Sequence, residues 1–218
     1  MSPTRTPRFS DRAQAGRELG EMIARGGVDR NTVVLGLARG GVVVAAEVAR
    51  TLELELDVLV VRKLGVPGHE ELALGAIAGA GVRVLNHEVI DLLDLEQRQI
   101  DSVTARAAQE LERCESACRG GREALAVRGR TVVLIDDGLA TGCSMLAALA
   151  ALRAGHPRRI VVAVPVAPAG ICQELRRIVQ EVLCIHNPDP FHAVGAWYGD
   201  FPQLDDQDVR GALSSVAS

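Results

Sequence analysis

The sequence lacks a basic surplus. Its 24 Lys and Arg stand against 28 Asp and Glu, giving a formal charge of -4 and a pI near 5.8. A general field that would draw nucleic acid or an anionic membrane is therefore not expected. It also lacks any apolar run near the roughly 18 residues a bilayer crossing needs. Its first residues, MSPTRTPRFSDR, carry no secretory h-region, so a cytoplasmic location without a membrane partner is expected. The five cysteines (Cys114, Cys118, Cys143, Cys172, Cys184) are odd in number and contain no C-x-x-C pair. Neither a disulfide framework nor a zinc site is indicated, and they read as reduced thiols. Cys114 and Cys118, four apart in a predicted helix, read as ordinary helix residues. Aromatics are scarce: there are five, and Phe191, Trp197, Tyr198 and Phe201 fall within one eleven-residue stretch.

What is present is aliphatic. With 48% hydrophobic residues over 218 positions, the chain can bury one sizeable core, and a single domain over 1–218 is expected, with a core over about 10–185 and a C-terminal flap over about 186–210. Only the two ends look disordered. Residues 11–25 read as a helix with Ser10 as N-cap and Gly26-Gly27 as the stop. Branched apolar runs at 32–37, 56–61, 131–136, 159–166 and 182–185 read as strands covered on both faces. Helical segments fall between them at 41–52, 88–118, 143–154 and 168–179. This alternation predicts an α/β fold with a mainly parallel, twisted sheet flanked by helices. AIAGAGVRVL at 76–85 suits a hairpin better than a crossover helix. Within 88–118, Val89, Leu92, Leu93 and Ile100 are spaced for one buried face.

The chemistry concentrates at VVLIDDGLATGCSM, residues 132–145. An apolar strand runs into Asp136-Asp137-Gly138, then Thr141-Gly142-Cys143-Ser144, then a helix rich in Ala and Leu. A glycine turn entering a helix N-terminus presents unpaired N–H groups and positive potential to a phosphate. Thr141 and Ser144 can donate hydroxyl hydrogen bonds to it. Asp136 and Asp137, at the carboxyl end of a strand, can accept from two neighbouring ribose hydroxyls. Cys143, at a helix N-terminus, is expected to be the most reactive thiol.

This run resembles the phosphoribosyl pyrophosphate motif of the type I phosphoribosyltransferases. The resemblance covers about residues 10–185 and implies that family's fold, with a hood over the reacting sugar. It assigns the ribose hydroxyls to Asp136 and Asp137, and the 5′-phosphate to Gly138, Leu139, Ala140, Thr141, Gly142, Cys143 and Ser144. Ala140 stands where members using 6-oxopurines carry an acidic residue, so the Ala-Thr-Gly form looks more like the adenine enzymes. Ala38, Arg39, Gly40 and Gly41 correspond to a pyrophosphate loop, often built with a cis peptide, and Arg62 and Lys63 to basic residues facing the pyrophosphate. GVPGHEELALGAIAGAG, 65–81, corresponds to a mobile hood loop in which Glu70 and Glu71 are candidate contacts to base, metal or proton. The aromatic cluster has two readings: a local core under a flap, or a stacking platform in which Trp197 and Tyr198 face the base. The implied activity is transfer of a phosphoribosyl group from phosphoribosyl pyrophosphate to an unidentified base. Mg²⁺ would be held by Asp136 and Asp137, in part through water, Asp136, Asp137, Arg39 and Lys63 would carry the catalysis, and the partner would be a second copy in a homodimer. The alternative is a non-catalytic regulatory protein that keeps the ligand loop.

Overall fold

The computed structural model describes residues 8–79 and 82–216, apart from the side chain of Glu71. Five strands form a wholly parallel sheet: β1 (Thr32–Leu37), β2 (Glu55–Leu59), β6 (Thr131–Ile135), β7 (Arg159–Val166) and β8 (Glu181–His186), in the order β2-β1-β6-β7-β8. Both faces of the sheet are apolar, and alternate residues go to opposite sides. Val33, Leu35, Val132, Leu134, Ile160 and Val162 enter one cluster, with α5 (Cys143–Ala154) and α6 (Ala169–Arg176). Val34, Val133, Ile135, Val161 and Ala163 enter the other, with α1 (Arg12–Arg25), α2 (Gly40–Leu52), α4 (Gln97–Arg119) and α7 (Asp206–Ser214). This period-2 split between two covered faces is why the strands read as unbroken apolar runs.

Several expected boundaries shift. The N-cap of α1 is Asp11, whose carboxylate accepts from the Gln14 N–H; Ser10 lies one residue outside. The run 56–61 is not one strand: β2 ends at Leu59, and Val61 begins β3 (Val61–Val66), which belongs to a second, antiparallel sheet with β4 (His69–Ala78) and β5 (Val82–Leu85). The expected hairpin is thus present as the antiparallel pair β4-β5; Ala80 and Gly81, between the two strands, lie outside the described residues. The stretch read as a mobile hood loop is mostly strand, with Val66, Leu74 and Ile77 buried in the α1/α2/α4/α7 cluster.

The long helix divides into α3 (His87–Leu92) and α4. Asn86 caps α3, Asp94 takes the left-handed conformation (φ 47), and a capping box between Glu96 and Gln99 restarts the chain as α4. Leu92 and Leu93, expected on a buried face, are exposed because they lie at this break, while Ile100 is buried as expected. The C-terminus also departs from expectation: α7 is ordered, capped by Asp205, and buries Val209 and Leu213 between α2 and α4.

Candidate functional site

Two loops at the carboxyl edge of the parallel sheet form the site. β1 and β6 are adjacent, with Gly36 opposite Ile135, so residues 38–41 and 136–142 emerge side by side. The fit between them requires glycine. A Cβ at Gly40 would lie 1.9 Å from Asp137 Oδ2, and one at Gly41 would lie 2.6 Å from the Ile135 carbonyl oxygen. The Ala38–Arg39 peptide is cis. On the other loop Gly142 takes φ 74 and delivers the chain into α5. Leu139 turns inward and its N–H donates to the Val166 carbonyl at 2.9 Å, whereas Ala140, Thr141, Cys143 and Ser144 are exposed. Two hydroxyls and the first N–H groups of a helix thus share one accessible rim, which is what a phosphate needs.

The two acidic residues differ in their partners. Asp137 Oδ2 accepts from Arg12 Nε at 2.8 Å, and this pair is largely buried. The Arg12 guanidinium also donates to the Pro202 carbonyl at 3.0 Å and lies 3.7 Å over the Phe201 ring. Asp136 Oδ1 accepts from the Asp137 N–H at 2.9 Å. Burial, and then the neighbouring Asp137 charge, push Asp136 well above the usual carboxylate range. Asp137 is also raised, because desolvation outweighs the opposing hydrogen bond and charge of Arg12.

The basic residues divide among three cavities, one of them a cavity of about 710 Å³ that Lys63 lines with Glu70 and Arg98. Arg39 and Arg62 line one of about 430 Å³ together with Ala38, Gly40 and Arg12. The Arg62 Nε is covered and has no hydrogen-bond partner among the described residues. Lys63, the next residue on β3, lines a second cavity of about 580 Å³ with Thr141, Cys143 and Ser144. The adjacent pair therefore does not serve one cavity, as alternation along a strand requires. Arg39 is held by the C-terminal segment, donating to Asp206 Oδ1 at 2.9 Å and to the Leu204 carbonyl at 3.3 Å.

Of the two readings of the aromatic cluster, the local core describes where Trp197 and Tyr198 lie. They are 6% and 5% exposed. Tyr198 sits between Phe9 and Phe201, and Trp197 stacks on His186. The Tyr198 hydroxyl donates to the Asp137 carbonyl at 2.5 Å, so the cluster buttresses the acidic loop from behind. Glu70 is exposed; the Glu71 side chain lies outside the described residues. Arg12 and Asp206 were not legible in the sequence, since they meet Asp137 and Arg39 from 125 and 167 positions away and belong to no local pattern.

Comparison with known proteins gives three findings. The model of the phosphoribosyl transferase domain matches residues 11–196. Two curated proteins, from two strains of Mycobacterium tuberculosis and provisionally described as phosphoribosyl transferases, are 44% identical over 205 residues, 94% of this chain. The chain spans about half the length of these relatives, 46%. The solved structure of TT1426 from Thermus thermophilus is 46% identical, with a TM-score of 0.84 over 94% of this chain and 97% of that one.

Proposed function

Because the chain belongs to the phosphoribosyl transferase domain family, we propose that it transfers a 5-phosphoribosyl group from phosphoribosyl pyrophosphate to a nitrogenous base, releasing pyrophosphate. The observation that carries this reading is the direct packing of residues 38–41 against Asp136 and Asp137 through Gly40 and Gly41. It sets a phosphate-competent helix terminus, two carboxylates and a cavity lined by three arginines, Arg12, Arg39 and Arg62, at one sheet edge. In the reaction the bond from the ribose anomeric carbon to pyrophosphate breaks with its electron pair leaving on the pyrophosphate, a bond from that carbon to a base nitrogen forms, and the proton of that nitrogen passes to solvent. The exposed Thr141–Ser144 rim holds the 5′-phosphate, Asp136 and the free oxygen of Asp137 accept from the ribose hydroxyls, and Arg39 and Arg62 stabilise charge on the departing pyrophosphate. Lys63 contributes positive charge beside Thr141, Cys143 and Ser144. Catalysis then rests on positioning and electrostatics.

The acidic pair fits a divalent cation. Two adjacent carboxylates, both pushed toward protonation by burial, gain from a nearby positive charge. Asp136 and Asp137 would hold Mg²⁺, in part through water, and its contribution would be to offset the charge of the pyrophosphate.

The test is a screen of bases with phosphoribosyl pyrophosphate and Mg²⁺, read as pyrophosphate release, together with titration calorimetry of the sugar phosphate alone. Asp137→Asn and Thr141→Ala are each expected to weaken binding about tenfold, the worth of one charge-assisted hydrogen bond. Unchanged affinity in both overturns the reading. A second reading, a ligand-binding protein without turnover, is supported by the ion pairs that already occupy Arg39 and Asp137; tight binding with no base accepted would favour it.

A further inference from the structure

Cys114, Cys118 and Asp206 converge where α4 meets the start of α7. Among the described residues they form a group whose potential ligand atoms all lie within 4.8 Å of one another. Cys114 and Cys118 are four apart on α4 and so share one face. Asp206 is the first residue of α7. Both sulfurs approach the same carboxylate oxygen, Asp206 Oδ1, at 3.8 and 4.0 Å. Buried thiols usually behave as small apolar residues, but here two of them border a carboxylate 88 or more positions away.

We propose that Cys114, Cys118 and Asp206 form a binding site for a thiophilic divalent cation of the Zn²⁺ class. Tetrahedral zinc with bonds of about 2.3 Å to sulfur and about 2.0 Å to oxygen sets its sulfur and oxygen ligands roughly 3.5 Å apart. The observed separations are longer by only a few tenths of an ångström, a closure that side-chain rotation supplies. Two thiolates exclude Mg²⁺ and Ca²⁺, which select oxygen donors. Charge also balances: two thiolates and a carboxylate around a divalent ion leave one net negative charge, and Arg39, 2.9 Å from the same carboxylate oxygen, offsets it. Cys114 lines the cavity that contains Ala38, Arg39 and Gly40, so solvent there can complete the coordination. Binding releases the two thiol protons to solvent and leaves the cation's oxidation state unchanged. The site lies outside the sugar-phosphate loop, and its existence does not depend on the transferase reading.

The experiment is titration of the reduced, metal-free full chain with Co²⁺, read by thiolate-to-cobalt charge-transfer absorption, followed by displacement with Zn²⁺. Saturation at one equivalent is expected, with the band abolished in Cys114→Ser and in Cys118→Ser, unchanged in Cys143→Ser, and at least tenfold weaker binding in Asp206→Asn. Absence of a saturable band, or its survival in both serine variants, overturns the proposal. X-ray absorption on the Zn²⁺-loaded unmodified chain supplies a reading that no variant's folding can confuse. Two sulfur neighbours at about 2.3 Å support the site, and one or none overturns it. No phosphoribosyl ligand enters either measurement, so failure here leaves the proposed activity standing, and failure of that activity leaves this result standing.

Discussion

At the scale of single residues, burial decides the behaviour of the ionisable groups more than local sequence does. Asp136 is driven up by desolvation and by its neighbour Asp137. Its raised folded-state value means that the folded chain holds a proton which the unfolded chain releases above the ordinary value of 3.8. The stability linked to that proton is complete below the ordinary value and is lost as pH rises through the folded one. Asp136→Asn mimics the protonated form, so its urea midpoint is expected to move increasingly above that of the unmodified chain as pH rises above the ordinary value of 3.8. A gap that stays constant or narrows refutes this. Asp11, Asp29 and Asp205 are shifted downward and titrate with the opposite sign, but they are common to both proteins and cancel in the difference. The thiols show a related competition. Cys172 is drawn down to about 6 by hydrogen bonds from Cys184 and then Asn187, yet it is fully buried, whereas Cys143 is exposed. Since a thiolate must be reached to react, iodoacetamide followed by peptide mass spectrometry is expected to find Cys143 alkylated first. Phosphoribosyl pyrophosphate should slow that alkylation; faster labelling of Cys172 would show that thiolate fraction outweighs access.

At the scale of elements, α4 depends on one buried ion pair. Arg119 Nε donates to Asp57 Oδ1 at 3.0 Å, while Asp57 Oδ2 accepts from the Leu125 N–H at 2.9 Å. The two side chains are 14% and 6% exposed. Asp57→Ala removes one partner and leaves a covered guanidinium, a change that costs about 3 to 5 kcal/mol in comparable sites. The low end is expected, because Glu115 remains 3.4 Å from Arg119; urea denaturation measures it, and a loss below about 1 kcal/mol would mean the pair is effectively solvated. The same elements show what the sequence could and could not reveal. β1, β6 and β7 were legible because each is a continuous branched run with glycine, acidic or polar punctuation at its ends. The change of sheet at Val60 was not, since Leu59, Val60 and Val61 are apolar in either sheet and no turn residue separates them. The phosphate loop was legible because its acidic residues, glycines and hydroxyls are contiguous. Its supports, Arg12 and Tyr198, were not, nor was Asp206, which holds Arg39 on the neighbouring loop, because only the fold brings them together.

At the scale of the whole molecule, the hood strands and the parallel sheet share one core. Leu64, Val66, Leu74 and Ile77 from the antiparallel sheet lie in the same cluster as Val34, Val133 and Ile135 from the parallel one, together with residues of α2, α4 and α7. A hood attached only by a hinge would unfold first and separately. Here, separating it would expose apolar side chains from both sheets at once, at roughly 25 cal/mol per Å² of newly wetted surface. Leu213, 1% exposed on α7, extends the shared cluster to the end of the described chain. Its replacement by Ala should cost about 3 kcal/mol, in the usual range for a buried leucine. Because the cluster is continuous, that loss should move the transition of the entire chain and not only the C-terminal helix. Trp197, the single tryptophan, is packed near β7 in a different cluster, so its fluorescence reports on a region that Leu213 does not touch. Urea curves followed by Trp197 fluorescence and by far-UV circular dichroism are therefore expected to coincide in the unmodified chain and to shift together in Leu213→Ala. Two separated transitions, or a fluorescence curve that ignores the substitution, would show that the shared core and the cluster around Trp197 unfold as independent units.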